Sequence, residues 1–314
     1  MATRTLESSP SILPLYARAA APMIPGASLL PFVPGRGKEI PEIELELTGV
    51  RPEPEAVAAY ARVCGFVLRD RLPPTYPHVL AFPLHMAVMA DGSFPFGAVG
   101  LVHVENRIEQ LRPIGQGEAL DLRVRPTPLE PHSRGRTFSL VTEARSSDEL
   151  VWQSVSTMLR RGQPADGTKG QEQRADGTKG PAGEDTSAHR PGEASAEWRL
   201  GDDLGRSYAA VSGDRNPIHM HALTAKPLGF PRAIAHGMWT KARCLAALES
   251  RLPDSFAVEV RFRKPIFLPA RVELALGGSG EETEFAVRDA KRQTPHLDGR
   301  VRPLGDKPQA GRSN

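Results

Sequence analysis

A long stretch without large apolar residues divides this chain of 314 residues into two halves. From Gly162 to Glu197 there is no Val, Ile, Leu, Met, Phe, Tyr, Trp or Cys, and the hexapeptide Ala-Asp-Gly-Thr-Lys-Gly occurs at 165–170 and again at 175–180. Such a segment cannot bury enough apolar surface to offset the conformational entropy lost on ordering. We therefore expect a flexible linker at 162–197; a regulatory or partner-binding segment is the alternative.

Composition narrows the class of protein. A hydrophobic content of 39% and a charged content of 25% are typical of a soluble globular protein. The apolar runs near the N-terminus are short and broken by prolines, so we expect no transmembrane segment, no secretory signal and a cytoplasmic location. The net charge is +3 and the arginines are scattered, which does not favour a nucleic-acid partner. Cys64 and Cys244 have no nearby thiol or metal-ligand partner, and we expect both to be buried.

The two halves resemble each other. Residues 60–65 (Tyr-Ala-Arg-Val-Cys-Gly) parallel residues 208–213 (Tyr-Ala-Ala-Val-Ser-Gly), and residues 101–107 parallel 257–263. The tyrosine that begins the first matching segment and the arginine that ends the second are 47 residues apart in the first half, from Tyr60 to Arg107. In the second half, from Tyr208 to Arg263, they are 55 residues apart. The second half therefore carries about eight more residues. We place the extra length in the loop at 214–224.

Hydrophobic periodicity predicts the same order of elements in both halves, a helix followed by strands. The predicted helices lie at 84–90 and 237–250, and the predicted strands at 99–111, 120–125, 136–143, 150–159, 256–263, 271–276, 284–291 and 299–303. One helix on an antiparallel sheet of four or five strands is an α+β unit, and two such units could join their sheets as an intrachain pseudo-dimer.

These patterns predict five segments. The units occupy 39–161 and 198–304, on either side of the linker. Residues 1–38 form an N-terminal extension that either wraps the first unit or stays mobile, and 305–314 form a frayed tail.

The second half carries an acid and a base close together. Asp214 precedes His219 by five residues, with Asn216-Pro217 forming a turn between them. Such a pair can divide acid–base work on a single water, since histidine titrates near neutral pH. The alternative is structural: Gly213-Asp214 could simply end a helix, with two turns after it.

Ten positions of this region fit one family pattern: an aromatic and small residues, then Gly-Asp-x-Asn-Pro-aliphatic-His, with a small residue six positions later. They are Tyr208, Val211, Ser212, Gly213, Asp214, Asn216, Pro217, Ile218, His219 and Ala225. The pattern resembles the MaoC-like, or hydratase 2, family of double hot-dog proteins. The family's entry to its central helix is similar to Ala235-His236-Gly237-Met238. The first half, through 76–83 and 100–107, looks most like actinobacterial-type 3-hydroxyacyl-thioester dehydratases, but it lacks the Asp and the His.

The resemblance implies an (R)-specific 3-hydroxyacyl-thioester dehydratase, or enoyl-CoA hydratase 2, of fatty-acid metabolism. It implies a first half that shapes the acyl pocket, a thioester of CoA or of acyl carrier protein as substrate, no metal and no cofactor, and a homodimer as one assembly open to the chain. Asp214 and His219 would activate water or the β-hydroxyl, and the Gly237 N–H, at a helix N-terminus, would polarise the thioester carbonyl. Which of Asp214 and His219 handles the proton at Cα is left open.

Other candidates are assigned by position. Tyr208 and Asn216 are expected beside the substrate, and Arg263 and Lys264 either meet the phosphates of coenzyme A or are solvated surface charges, as is Arg107. We expect structural roles for the other notable histidines, namely His78, His85, His103, His221 and His236. Two other functions remain open: a thioesterase on the same scaffold, and a non-catalytic subunit that binds acyl thioesters.

Overall fold

The chain folds into two units of helices and strands, and the computed structural model describes residues 2–21, 35, 37–162 and 192–305. The first unit contains β1 (Ala2–Leu6), α1 (Ile12–Ala20), β2 (Ile43–Val50), α2 (Pro54–Cys64), α3 (Tyr76–Met89), β3 (Val102–Gln110), β4 (Leu120–Pro126), β5 (Glu130–His132), β6 (Gly135–Ser146) and β7 (Glu149–Arg161). The second contains β8 (Ala194–Leu200), α4 (Leu204–Ser212), α5 (Pro217–Met220), α6 (Ala222–Ala225), α7 (Gly237–Ala247), β9 (Phe256–Phe262), β10 (Ala270–Gly277), β11 (Thr283–Asp289) and β12 (Pro295–Pro303). Short 3₁₀ turns follow α6 and α7, at Lys226–Leu228 and Glu249–Arg251.

Within the described ranges, the strands of both units form one sheet of 12 strands. Their order is β1-β2-β4-β6-β7-β3-β9-β12-β11-β10-β8, with β5 paired to β6 alone. The order runs outward in the same way on both sides of the β3–β9 pair, so β2 and β8 are equivalent strands of the two units. The prediction of an α+β pseudo-dimer with one continuous sheet is confirmed.

Lys241 of α7 fastens the helix to the junction of the two units. Its side chain is completely buried, and its Nζ donates to Oδ1 of Asn106 at 2.5 Å and to the carbonyl oxygen of Val258 at 3.2 Å. Asn106 lies on β3 and Val258 on β9, the two strands that join the units. Burial lowers the pKa of Lys241 well below its ordinary value. A single side chain of α7 thus contacts both halves of the sheet.

The two long helices, α3 and α7, lie buried against the sheet. The sequence placed the first at 84–90, but α3 runs from Tyr76 to Met89. Pro77 lies in its first turn and Pro83 in its middle, and buried residues occur all round it. Proline is unfavourable inside helices, so the sequence around Pro77 and Pro83 does not predict one. Burial on every face also removes the 3.6-residue hydrophobic period, and the prediction therefore missed the first half of α3. The prediction for α7 was right at its start and three residues too long at its end.

The matching helices α2 and α4 end in the same way. Gly65 and Gly213 follow them in the left-handed conformation, with φ of 82° and 76°, which glycine adopts without steric cost. The connection from there to the next long helix spans 65–75 in the first unit and 213–236 in the second. The additional length of the second half therefore lies in this connection, as predicted.

The N-terminal extension wraps the first unit, which is one of the two alternatives predicted for it, since β1 pairs in parallel with β2 and Leu15 and Ala19 of α1 are buried. One predicted boundary is wrong: β8 begins at Ala194, four residues before the predicted start of the second unit at 198. Among the described strands it is an edge strand paired with β10 alone, and its first residues are small or polar, so hydrophobicity did not reveal it. The linker prediction for 163–191 and the tail prediction for 306–314 lie outside the described residues.

Two expectations from composition can be compared with the fold. No described helix is both long and apolar enough to cross a bilayer. Cys64 and Cys244 are buried free thiols, as expected.

Candidate active site

A cavity of about 170 Å³ lies between the two units. The first unit contributes residues of α3, β3, β6 and β7 to its walls, and the second contributes the connection after α4, the start of α7 and the end of β9. All seven residues predicted for the site line this cavity, namely Tyr208, Asp214, Asn216, His219, Gly237, Arg263 and Lys264. Residues far apart in sequence therefore meet at one place.

Local hydrogen bonds shape the loop between Asp214 and His219. The Asn216 N–H donates to Oδ1 of Asp214 at 3.1 Å, and Oδ1 of Asn216 caps α5 by accepting from the Ile218 N–H at 3.5 Å. Pro217 occupies the first position of α5, where its missing N–H costs nothing. These bonds fix the backbone that separates the acid from the base. Asn216 thus has a structural role in addition to lining the cavity.

Asp214 receives a hydrogen bond from the N-terminal helix. The Tyr16 hydroxyl donates to its Oδ1 at 2.8 Å and accepts from the Arg215 N–H at 2.8 Å. Burial favours a higher pKa for Asp214, but His236, His219 and the bonds from Asn216 and Tyr16 outweigh it and hold the pKa below its ordinary value. Oδ1 accepts both hydrogen bonds, so Oδ2 is the oxygen left for a ligand.

The tautomer of His219 follows from its backbone partner. Its Nδ1 lies 2.8 Å from the carbonyl oxygen of Ile234, and because a carbonyl only accepts, Nδ1 must carry the proton. Nε2 of the neutral ring is then an unprotonated acceptor in the cavity. Burial lowers the pKa of His219, although Asp214 and the bond to Ile234 oppose this. His219 is therefore a neutral base at neutral pH, in a fixed orientation.

His236 packs on His219, with ring centroids 3.6 Å apart and planes 23° apart. Its Nε2 donates to the carbonyl oxygen of Asp214 at 3.0 Å. Burial is the main cause that lowers the pKa of His236 to about 3, and His219 adds to it. His236 therefore holds the backbone of Asp214 as a neutral ring, consistent with the structural role expected from its position.

Asp214, His219 and His236 offer potential metal ligands within 4.8 Å of one another. The donor chemistry does not suit an ion. Nε2 of His236 carries the proton that the Asp214 carbonyl accepts, so it has no lone pair to offer. The lone pairs of stacked rings also lie in separate, nearly parallel planes and do not converge on one tetrahedral centre. The arrangement suits proton transfer better than metal binding.

Gly237 is the first residue of α7. Its N–H has no acceptor among the described residues, as expected at a helix N-terminus. A Cβ at this position would lie 2.9 Å from Cε1 of Phe262, so the close packing of Phe262 also requires glycine. Gly237 lines the cavity that Asp214 and His219 share.

The remaining predicted residues differ in their surroundings. Tyr208 is buried between Tyr60 and His236, with ring centroids 6.1 Å and 4.8 Å away. Arg263 is half exposed and pairs with Asp298, and Lys264 is exposed beside it.

The first unit adds Arg134 and Arg161 to the same cavity, and sequence reasoning missed both. Arg107 pairs with Glu109 and Glu259 on the sheet and does not line the cavity. The basic group at the cavity is thus Arg134, Arg161, Arg263 and Lys264.

Two structural units that share one sheet define a double hot-dog protein. In this chain, the cavity between the units is lined by the loop that carries Asp214 and His219. The chain belongs to the MaoC-like dehydratase family. The family model described as MaoC like domain matches residues 186–299. This range contains both Asp214 and His219, and the resemblance inferred from the motif is confirmed.

Relatives support the same assignment. The 3-hydroxyacyl-thioester dehydratase X of Mycobacterium tuberculosis is 37% identical over 297 residues, which cover 95% of this chain and 100% of the relative. The crystal structure of HtdX from the same organism matches with a TM-score of 0.71 and 35% identity, over 83% of this chain and 100% of that chain. Another M. tuberculosis structure, described as a double hot-dog fold, has a TM-score of 0.51 at 16% identity, over 85% of this chain and 95% of that one. That last likeness shows the fold alone.

Proposed function

We propose that this protein is an (R)-specific 3-hydroxyacyl-thioester dehydratase, or enoyl-CoA hydratase 2, acting in fatty-acid metabolism. It is a hydro-lyase that reversibly adds water to trans-2-enoyl thioesters. The observation that carries the proposal is the position of Asp214 and His219, whose functional atoms lie within 4.8 Å of each other in one cavity with the free Gly237 N–H. The names of the relatives described above support the reaction class.

The geometry suits the chemistry of hydration. A carboxylate oxygen of Asp214 and a ring nitrogen of His219 lie within 4.8 Å of each other, a separation that allows one water to hydrogen-bond both side chains. The water oxygen forms a bond to Cβ and gives up a proton, while the electrons of the double bond move toward the thioester oxygen. The Gly237 N–H stabilises the negative charge that develops there. A proton is then delivered to Cα, and dehydration is the reverse sequence.

The substrate would enter from the basic side of the cavity. Arg134, Arg161, Arg263 and Lys264 place positive charge beside it, and phosphates of coenzyme A or of the phosphopantetheine arm of acyl carrier protein carry the complementary charge. We include both carriers in the proposal, together with a cytoplasmic location. The homodimer stays a prediction, to be checked by light scattering.

The test is hydration of crotonyl-CoA, followed by loss of the enoyl-thioester absorbance, with longer enoyl chains measured beside it. Asp214→Asn and His219→Ala should lower kcat by about 10²- to 10⁴-fold, the usual contribution of a general acid or base. His221→Ala, at an exposed histidine of the same connection, is the matched control and should retain activity. A wild-type protein inactive on short and long chains alike would refute the proposal, as would variants as active as the wild type.

The same samples distinguish the alternatives. A thioesterase releases free thiol, which a thiol-reactive dye detects, whereas hydration releases none. A non-catalytic subunit would bind acyl-CoA without changing it. Chiral analysis of the 3-hydroxyacyl product tests the (R) configuration.

A further inference from the structure

Three histidines of the first unit line the same cavity as Asp214 and His219. His78 and His85 lie on α3, and His103 lies on β3. The ring of His78 is 4.9 Å from that of His85 and 6.4 Å from that of His103, between centroids. We call His78, His85 and His103 the histidine cluster. The sequence suggested purely structural roles for them, but the structure places all three on the cavity wall.

Two nitrogens of the histidine cluster lack hydrogen-bond partners among the described residues. They are Nδ1 of His78 and Nε2 of His103, and both atoms are buried. His85, by contrast, uses Nε2 to bond the Thr142 hydroxyl at 2.7 Å. A buried polar atom without a partner costs about 1–3 kcal/mol, and the few such atoms in a folded protein require an explanation. A ligand in the cavity would supply the missing partner.

The histidine cluster is neutral at neutral pH. Burial is the main cause that lowers the pKa of His78 to about 4 and of His103 to about 3. Lys241 lowers both values further and Asp214 opposes it. A neutral imidazole offers one N–H and one lone pair. The ligand group that matches a neutral imidazole is itself neutral and can both donate and accept a hydrogen bond, as a hydroxyl does. A carboxylate does not match, because a buried carboxylate needs a counter-charge.

The surroundings of the histidine cluster are apolar. The same wall contains Val79, Phe82, Leu101, Leu140, Met158 and Leu159. His103 lies against Phe262, with ring centroids 5.0 Å apart, and Phe262 packs at Gly237, where the thioester carbonyl is placed by the proposed function. Methylene groups of an acyl chain would contact the apolar side chains, and one polar substituent could reach His78 and His103.

We propose that His78 and His103 form a subsite for a hydroxyl group further along the acyl chain than Cβ. The preferred substrates would then carry this hydroxyl in addition to the one that is added or removed at Cβ. This inference rests on the proposed function. An ordered water would satisfy the same nitrogens before the substrate binds, and the hydroxyl of the chain would displace it.

The test compares pairs of equal size. Hexenoyl-, octenoyl- and decenoyl-CoA, each with a terminal hydroxyl, are paired with the unsubstituted chain that has a methyl group in the hydroxyl's place. For at least one pair, wild type should show a kcat/KM about tenfold or more higher for the hydroxylated chain, since a site built to bond a hydroxyl rejects an analogue without it. His78→Phe and His103→Phe should abolish that preference. His103→Gln, which keeps a polar side chain, should retain part of it.

His132→Phe, on β5 and outside the cavity, is the matched control. The subsite is refuted if wild type prefers the methyl-ended chain in every pair, or if the Phe variants leave the ratio unchanged. Calorimetric binding of saturated S-alkyl-CoA thioethers, with and without the hydroxyl, repeats the comparison without turnover. Preference in binding without hydration of any enoyl-CoA would refute the proposed function and leave the subsite supported. Hydration without preference would refute the subsite alone.

Discussion

The Tyr16 hydroxyl donates a 2.8 Å hydrogen bond to Oδ1 of Asp214, a residue 198 positions further along the chain. Ile12, on the same helix as Tyr16, packs against Gly213. A Cβ added to Gly213 would lie 2.5 Å from Cδ1 of Ile12. The N-terminal helix therefore covers the loop that carries the acid and orients its carboxylate. Tyr16 acts through Asp214, which makes it a positioning residue.

Replacing Tyr16 by Phe should lower kcat about tenfold while changing KM little. Loss of the hydroxyl removes one of the bonds that hold down the pKa of Asp214, so the acidic limb of the kcat profile should also move to higher pH. The measurement is a full pH–rate profile with crotonyl-CoA. Tyr76→Phe, which alters a buried tyrosine of the first unit, is the control, and an unchanged acidic limb in Tyr16→Phe would contradict the positioning role.

The pH dependence of hydration should extend below the ordinary titration range of histidine. The pKa of His219 is lowered, mainly by burial, so its neutral form persists as the pH falls through about 6.5. Activity should hold through that region and fall only at more acidic pH, where protonation of His219 and of Asp214 together forms the acidic limb. An inflection of kcat/KM at or above pH ~6.5 would show that the base is not held in its neutral form.

Buried neutral histidines should make folding stability fall with acidification. In the unfolded chain a histidine takes up a proton near pH ~6.5, whereas burial lowers the pKa of His78 to about 4 and of His103 to about 3 in the fold. Their contribution is complete above the unfolded value and is lost as pH falls below it, at up to about 1.4 kcal/mol per pH unit for each. Urea unfolding at about pH 7 and about pH 5 measures the loss.

His103→Phe should reduce this loss, because one titrating group is gone. Tyr76→Phe, which removes no histidine, should leave it unchanged. Equal pH dependence in wild type and His103→Phe would show that His103 is not buried as a neutral ring.

Gly237→Ala should reduce both stability and kcat, because the added Cβ would meet Phe262. The double variant Gly237→Ala, Phe262→Leu separates the two effects by making room. We expect it to recover the melting temperature but not kcat, since the methyl group still crowds the N–H that polarises the carbonyl in the proposed function. Recovery of kcat together with stability would show that Gly237 serves only the packing of Phe262.

The site was more predictable than its surroundings. The motif from Tyr208 to His219 fixes residue types and spacing over a short distance, so local sequence was enough to select Asp214 and His219, which line one cavity. Tyr16 carries no comparable signal, because its contact with Asp214 depends on how the N-terminal helix folds back over the loop. The position of His78 and His85 at the cavity carried no sequence signal for a related reason: buried residues occur all round α3, and no periodicity shows which of its residues line a cavity.

The fold shows the same contrast between features set by local sequence and features set by distant contacts. Most strands with alternating burial were found from sequence, and the boundaries failed where an element depends on its partner. β1 and the first four residues of β8 are mostly small and polar, so hydrophobicity gives little sign of a strand there, and the pairing with β2 and β10 supplies the backbone hydrogen bonds.

The two units contribute different kinds of residues to the cavity between them. Under the proposed function, the groups at the reacting carbons come from the second unit, with Tyr16 as their support, and the residues along the acyl chain come from α3, β3, β6 and β7 of the first. Substitutions in the first unit can therefore change which chain is accepted without touching the acid, the base or the carbonyl donor. A protein built in this way can acquire a new substrate range by drift in one half while selection holds the chemistry constant in the other.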